Sequence, residues 1–251
     1  MVNLKLHGEA KISVCMATRN GARFICRQLE SILAQLAPDD EVVISDDSST
    51  DDTIAIIRSF ADPRIRLLEN NTFYSPIFNI ENALQQARGD IIVLSDQDDI
   101  WLDNRISVVK ERFRQKRAPV YLMALDGSVI DEHDNVTVES IFAKIKAAPG
   151  LTKNIYNNTY MGCCLAFSRE LLEIALPFPR LIPMHDMWLG LLAEIFGKVE
   201  FVPEKTILYR KHTASLTDFR IQFLPISQIK RRWFLAYNLA KRWMELKNLK
   251  Q

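Results

Sequence analysis

The chain has 251 residues, 48% of them hydrophobic and 25% charged, with 8 glycines and 10 prolines. That length fits one large domain or a domain with an appendage, and the composition excludes a collagen-like, low-complexity or intrinsically disordered chain. The formal charge of +1 gives no global field for nucleic acid, yet seven lysines and arginines against Glu245 alone give residues 226–251 a charge of +6 and leave −5 for the rest.

Four short apolar runs rich in β-branched residues, Ile12–Ala17, Glu41–Ser45, Ile65–Glu69 and Asp90–Ser95, read as strands. Helix-period stretches lie between them. Arg23–Gln35 places Phe24, Leu29, Ile32 and Leu36 on one side, Thr53–Phe60 follows an Asp51-Asp52 start, and Ile77–Ala87 ends at Gly89. The order βαβαβαβ predicts a mostly parallel sheet flanked by helices. Beyond it come a basic helix at Arg105–Arg117, a strand at Val120–Leu125, a turn at Asp134-Asn135 and a stretch to Asn158 without clear periodicity. A strand at Cys163–Ser168, a helix at Asp186–Phe196 closed by Gly197 and a strand at Val199–Tyr209 follow. In the tail, Trp233, Phe234, Tyr237, Trp243 and Met244 recur at roughly helical spacing among lysines and arginines. Such a basic amphipathic helix either lies in an anionic membrane interface or packs on the body or on a second copy, as a homodimer contact.

Cys15, Cys26, Cys163 and Cys164 show no metal-ligand spacing and lie in or beside apolar stretches, so buried free thiols in a reducing compartment are expected. The N-terminus has no apolar core of signal-peptide length, and no run of about 18 apolar residues occurs. The expectation is a cytoplasmic protein, or one peripheral to the inner face of the membrane.

Open α/β sheets bind ligands beyond the carboxyl ends of their strands. There the four runs are followed by Thr18-Arg19-Asn20-Gly21, by Asp46-Asp47-Ser48-Ser49-Thr50-Asp51, by Asn70-Asn71 and by Asp96-Gln97-Asp98-Asp99. No Gly-x-Gly, H-E-x-x-H or G-x-S-x-G is present, so the usual supports of nicotinamide redox, P-loop, metalloprotease and serine hydrolase chemistry are missing. Carboxylates remain. Asp96-x-Asp98 suits a hard cation such as Mg²⁺ or Mn²⁺ clamping a diphosphate; alone, it reads first as a solvated acidic turn capping the helix that follows. Asp46 and Asp47 are either helix-capping acids or acceptors for a base imide or ribose hydroxyl. Asp186 is either the N-cap of its helix or a base for an acceptor hydroxyl, and His212 is either a surface histidine or part of the site.

In order and spacing these segments resemble the family 2 glycosyltransferases of GT-A fold, a nucleotide-diphosphosugar-binding α/β sandwich. Lys11–Gly21 is similar to that family's opening strand and nucleobase loop, and Val43–Thr53 to its V-D-D-G-S-T-D-x-T signature, with Ser48 in place of Gly. Gly89–Leu102, His185–Trp188 and Tyr209–His212 resemble the D-x-D region and closing motifs of the rhamnosyltransferase-like branch. Two further positions depart from the pattern: Arg19 replaces an aromatic, and Met187 stands where Trp is frequent.

The resemblance spans about residues 11–217 and implies a domain at 1–225 with the amphipathic tail at 226–251. It implies that Thr18, Arg19 and Asn20 line the nucleobase site and that Asp46 and Asp47 contact base and ribose. Asp98 is then the main ligand of Mg²⁺ or Mn²⁺, Asp96 lies beside ribose or metal, His212 is a further metal or diphosphate contact with Arg210 nearby, and Asp186 is the catalytic base. The implied reaction moves a sugar, rhamnose from dTDP-rhamnose or another from a UDP-sugar, to a lipid-linked acceptor of a growing bacterial surface glycan. The alternatives are a non-catalytic nucleotide-sugar-binding scaffold subunit and a nucleotidyltransferase on a related sandwich.

Overall fold

The computed structural model describes residues 10–212 and the helix 226–248, with that helix's side chains from Arg232 onward. The N-terminal expectation at residues 1–9, the segment 213–225, Lys250, and the side chains of Lys230 and Arg231 lie outside the described residues. The chain opens with β1 (Ile12–Thr18), α1 (Ile25–Leu33), β2 (Glu41–Asp46), α2 (Thr53–Ser59), β3 (Ile65–Leu68), α3 (Pro76–Gln86) and β4 (Ile91–Ser95). There follow β5 (Ile100–Trp101), α4 (Arg105–Arg114), β6 (Tyr121–Ile130), β7 (Val136–Val138), α5 (Ile141–Ile145) and α6 (Leu151–Tyr156). A 3₁₀ turn (Gly162–Cys164) leads to β8 (Leu165–Ser168), α7 (Arg169–Ala175), α8 (His185–Phe196), β9 (Lys198–Arg210) and α9 (Ile226–Asn248).

The strands form one sheet in the order β3-β2-β1-β4-β8-β6-β9-β5, with β7 on β6. The first four are parallel, as the βα alternation requires, whereas β8 runs antiparallel between β4 and β6, so the sheet is mixed in its second half. Its side-chain alternation builds two cores. Ile12, Val14 and Met16 of β1, Val42 and Ile44 of β2, and Tyr121, Met123 and Leu125 of β6 point to one face, with Leu29 and Ile32 of α1. Cys15, Val43, Ile92, Leu94, Leu122 and Ala124 point to the other, with α3, α7 and α8. A period of two therefore produces a three-layer sandwich.

Individual contacts pin the layers. Ser75 caps α3 by accepting from the Phe78 N–H, with Pro76 at the first helical position. Arg105 is fully buried beneath the second half of the sheet, where it donates to Thr206 Oγ1 (3.1 Å) and Cys163 O (2.6 Å) and stacks on Trp101. The helix α9 docks through Leu235 and Leu239, and Arg242 donates to the carbonyls of Leu176 and Pro177 after α7. Packing of the tail on the body is thus realised.

Cys15, Cys163 and Cys164 are buried, but Cys26 is exposed on the outer side of α1, which corrects the expectation of four buried thiols. Position 26 follows the first core residue, Ile25, and helical geometry turns it outward. The stretch 126–160 that lacks periodicity holds the end of β6, β7 and the short helices α5 and α6.

Candidate active site

The chain leaves β1 to build β2 and β3 on one side, then returns across β1 to lay β4 on the other. The strand order reverses between β1 and β4, and a crevice opens there at their carboxyl ends. Thr18 pairs with Asp46, and Met16 with Ser95, so the loops after β1, β2 and β4 leave the sheet side by side. A cleft of about 730 Å³ occupies this edge, a size suited to a nucleotide-sized ligand.

Gln97 bridges the crevice. Its Oε1 accepts from Arg19 N–H (2.9 Å) and its Nε2 donates to Arg19 O (3.1 Å). A Cβ at Gly21 would lie 2.3 Å from that Oε1, so a larger residue there would push the Gln97 amide off Arg19. Asn20, in the left-handed region at φ +50°, accepts from Thr50 N–H through its side chain and donates its own N–H to Ser49.

Thr18, Arg19 and Asn20 all line the cleft, as do Asp47, Asp96, Asp98, Asp186 and His212. Two implied contacts are not on its wall. Asp46 is completely buried and saturated, accepting from Thr18 Oγ1 (2.9 Å), Ser49 N–H (2.8 Å) and Ser49 Oγ (2.5 Å). It organises the loop that carries Asp47. Arg210 is also buried, donating to the backbone oxygens of Asp98 and Asp131 (both 3.0 Å) and pairing with Asp134 at 2.7 Å. It braces the acidic loop from behind. Asp46 and Arg210 thus sit behind the residues that reach the cleft and brace them.

Asp47 reaches the cleft and is partly used, accepting from Phe73 N–H (2.7 Å) and Ser75 N–H (3.2 Å). This fixes the loop carrying Tyr74, an exposed residue at φ +47° whose ring lies 5.1 Å from the Arg19 guanidinium. An aromatic face thus stands beside Arg19, the position where the resemblance leads one to expect an aromatic. Nothing in the local periodicity singles out Tyr74.

Across the cleft, Asp98 Oδ2 lies 2.7 Å from His212 Nε2, and the imidazole stacks on Phe24 with ring centroids 5.2 Å apart. Phe24, which shares the apolar side of its helical stretch, serves this site rather than the core. Asp96 is exposed to the cleft but hemmed in by protein, and this partial desolvation, then the charges of Asp98 and Asp186, push its carboxyl upward. Asp99 is buried behind it, one oxygen accepting from Arg210 N–H and the other unpartnered among the described residues. Burial and the neighbouring Asp98 and Asp96 push it well above the ordinary carboxylate range.

Asp186 is the second residue of α8, whose N-cap is Met184, and Met187 N–H and Asn158 Nδ2 donate to its carboxylate. Burial raises it to about 7 despite these bonds. Its neighbour His185 lines the cleft as a neutral imidazole, lowered to about 4 by burial, with Nδ1 shielded and unpartnered among the described residues.

Asp98 and His212, 2.7 Å apart, offer oxygen and imidazole donors of the kind that Mg²⁺ or Mn²⁺ takes, and Asp96 lines the same cleft. Asp96, Asp99 and Cys163 also offer ligand atoms within 4.8 Å of one another. The Cys163 thiol, however, is pushed well up by its hydrogen bond with Cys164 and by burial, and stays protonated.

A model of the family described as "Glycosyl transferase family 2" matches residues 13–174. An uncharacterized glycosyltransferase of Nostoc sp. is 28% identical over 219 residues, covering 82% of this chain and 66% of that protein. The Escherichia coli protein named UDP-Glc:alpha-D-GlcNAc-diphosphoundecaprenol beta-1,3-glucosyltransferase WfgD is 26% identical, covering 73% of this chain and 70% of its own length. An uncharacterized Mycobacterium tuberculosis protein is 36% identical, covering 90% of this chain and 75% of its own length. The fold matches Staphylococcus aureus TarS 1–349 in complex with UDP-GlcNAc at a TM-score of 0.71 and 18% identity, covering 90% of this chain and 66% of that one. The chain thus spans about two thirds of the length of the Nostoc and TarS chains.

Proposed function

This chain belongs to glycosyl transferase family 2, and we propose that it is an inverting glycosyltransferase that transfers a sugar from a nucleoside-diphosphate donor to a hydroxyl of a bacterial surface glycan on a lipid-linked acceptor. The catalytic unit in this reading runs to about residue 225, with α9 appended. The observation that carries the proposal is one cleft shared by Asp47, Asp96 and Asp98 at the switch point and by Asp186 on α8. Separate faces for these groups would have left no common reacting centre.

In the proposed reaction, nucleobase and ribose lie along Thr18, Arg19, Asn20 and Asp47. The acceptor oxygen attacks the anomeric carbon while the bond from that carbon to the diphosphate breaks, and Asp186 takes the hydroxyl proton. Its raised affinity for that proton makes it a stronger base than an ordinary aspartate, while Asn158 holds the carboxylate in place. Holding both substrates in one cleft supplies much of the acceleration. A divalent ion bound by Asp96, Asp98 and His212 would neutralise charge on the departing nucleoside diphosphate.

The donor is proposed to be dTDP-rhamnose or a UDP-sugar; UDP-glucose and a diphosphoundecaprenol-linked GlcNAc stand in the name of the E. coli relative. The test incubates the chain with these donors, a lipid-diphosphate GlcNAc acceptor and Mg²⁺ or Mn²⁺, reading product by mass spectrometry. Transfer that disappears in Asp186→Asn while donor binding persists is the expected result. Donor binding without turnover of any donor would point to a scaffold, and pyrophosphate release from a nucleoside triphosphate to nucleotidyl transfer.

A further inference from the structure

The helix α9 has two apolar sides, and only one is used. Leu235 and Leu239 are buried against the body. On the opposite side Trp233, Tyr237 and Met244 are 75%, 62% and 52% exposed. At 3.6 residues per turn these three fall within about 40° of one another. Phe234 and Trp243 flank them, also exposed, and Lys241 and Lys247 border the strip. A helix whose outer face meets only water normally carries charge there. Here the outer face is aromatic with a cationic border, the pattern of a helix lying at a lipid interface.

We propose that the outer face of α9, continued by Tyr156, docks on an anionic lipid bilayer and brings the Asn158 side of the cleft to the headgroups. Charge complementarity selects this occupant. Among the described side chains of α9, Arg232, Lys241, Arg242 and Lys247 oppose Glu245 alone, and Glu245 is turned to Lys241 (3.9 Å) and Arg242 (3.4 Å). Exposed lysines beside aromatics gain from an anionic surface what they would not gain from a neutral one. No helix among the described residues is long and apolar enough to cross a membrane, so α9 lies on the surface.

The helix α9 meets the body beside the cleft. The Arg232 guanidinium lies 5.6 Å from the ring centroid of Tyr156, itself 71% exposed at the end of α6. Two residues on, Asn158 lines the cleft and donates to Asp186. A bilayer under α9 therefore stands next to the side on which a lipid-linked hydroxyl would approach the proposed base. This deepens the proposed function by naming the surface from which the acceptor is presented, but the test reads binding and needs no turnover.

The full chain is floated with phosphatidylcholine vesicles, with and without phosphatidylglycerol, while tryptophan emission is recorded. Expected are binding to the anionic vesicles with a blue shift, and weakening by salt, because exposed charges are screened over about 8 Å at physiological ionic strength. Trp233→Ser with Tyr237→Ser and Met244→Ser should lower the bound fraction about tenfold or more, at an unchanged melting temperature. Lys241→Gln with Lys247→Gln should lower binding to anionic vesicles only. The proposal is overturned if the wild type stays soluble beside anionic vesicles, or if the triple variant floats like the wild type. A wild type that ignores vesicles but is a dimer split by the triple substitution would assign the face to a second copy. Lost transfer with retained flotation would sink the proposed activity and leave this inference standing.

Discussion

His212 Nε2 lies 2.7 Å from Asp98 Oδ2, joining the end of β9 to the loop after β4 across 114 residues of sequence. The contact places an imidazole and a carboxylate where one cation could be shared. If they act as a unit, His212→Ala should raise the Mn²⁺ concentration for half-maximal transfer about ten- to a hundredfold. Asp98→Asn should do the same, and the double variant should be little worse than either, a non-additivity measurable by titrating nucleotide binding with Mn²⁺. Additive losses would mean that His212 acts independently, for instance on the diphosphate.

The carboxyl of Asp186, raised to about 7 chiefly by burial, sets a sign for two pH dependences. Below that value it carries a proton and cannot accept one, so the transfer rate should rise with pH and level off above about 7. Stability runs the other way. A carboxyl that holds its proton more tightly when folded favours folding at low pH, and that contribution is lost as pH rises from the ordinary carboxylate range through about 7. Asp186→Asn removes the titrating charge. It should match the wild type in denaturant melts near pH 4 and exceed it by roughly 2–4 kcal/mol above pH 7.

The sequence carries the parallel half of the fold openly, because β1, β2 and β4 are buried on both faces and each helix has one apolar side. It conceals β8, whose four residues are read as a strand but whose antiparallel insertion between β4 and β6 no local pattern encodes. The same division holds in the cleft. Doubled acids at strand ends announce Asp47 and Asp98, but periodicity cannot tell which member of each pair faces inward. Asp46 turns to Thr18 and Ser49, and Asp99 to the backbone of Arg210. Tyr74 and Asn158 stay hidden because they belong to loops, where side-chain direction follows from the tertiary bonds of Asp47 and Asp186.

Ser48 explains a departure from the family pattern and gives a prediction of its own. It replaces a glycine, and its φ of +58° lies in the left-handed region that costs a residue with a side chain about 1 kcal/mol. Its hydroxyl offsets part of this by donating to Asn71 O, which ties the Asp47 loop to the end of β3. Ser48→Ala keeps the strain and loses the bond, whereas Ser48→Gly loses the bond and the strain together. Urea melts should therefore order them wild type and glycine close together, with alanine about 1–2 kcal/mol lower. An alanine variant as stable as the wild type would show that the hydroxyl bond contributes nothing there.

Lys144 and Lys146 line the cleft from the end of α5, in the stretch where the sequence shows no periodicity. Lys146 holds φ +53°, and both side chains are exposed, with no ion pair to either among the described residues. They oppose a floor of carboxylates without neutralising any. Two unpaired cations on the rim are suited to an anion that arrives with the second substrate, and a lipid-linked diphosphate is such an anion. Lys144→Gln with Lys146→Gln should raise KM for a diphosphate-linked acceptor about tenfold while leaving KM for the donor within about twofold, since removing such a binding contact costs about 1.4 kcal/mol per decade. With an acceptor sugar lacking the diphosphate the double variant and the wild type should perform alike. A rise in donor KM instead would move these lysines to the leaving nucleoside diphosphate and reverse the polarity assigned to the cleft.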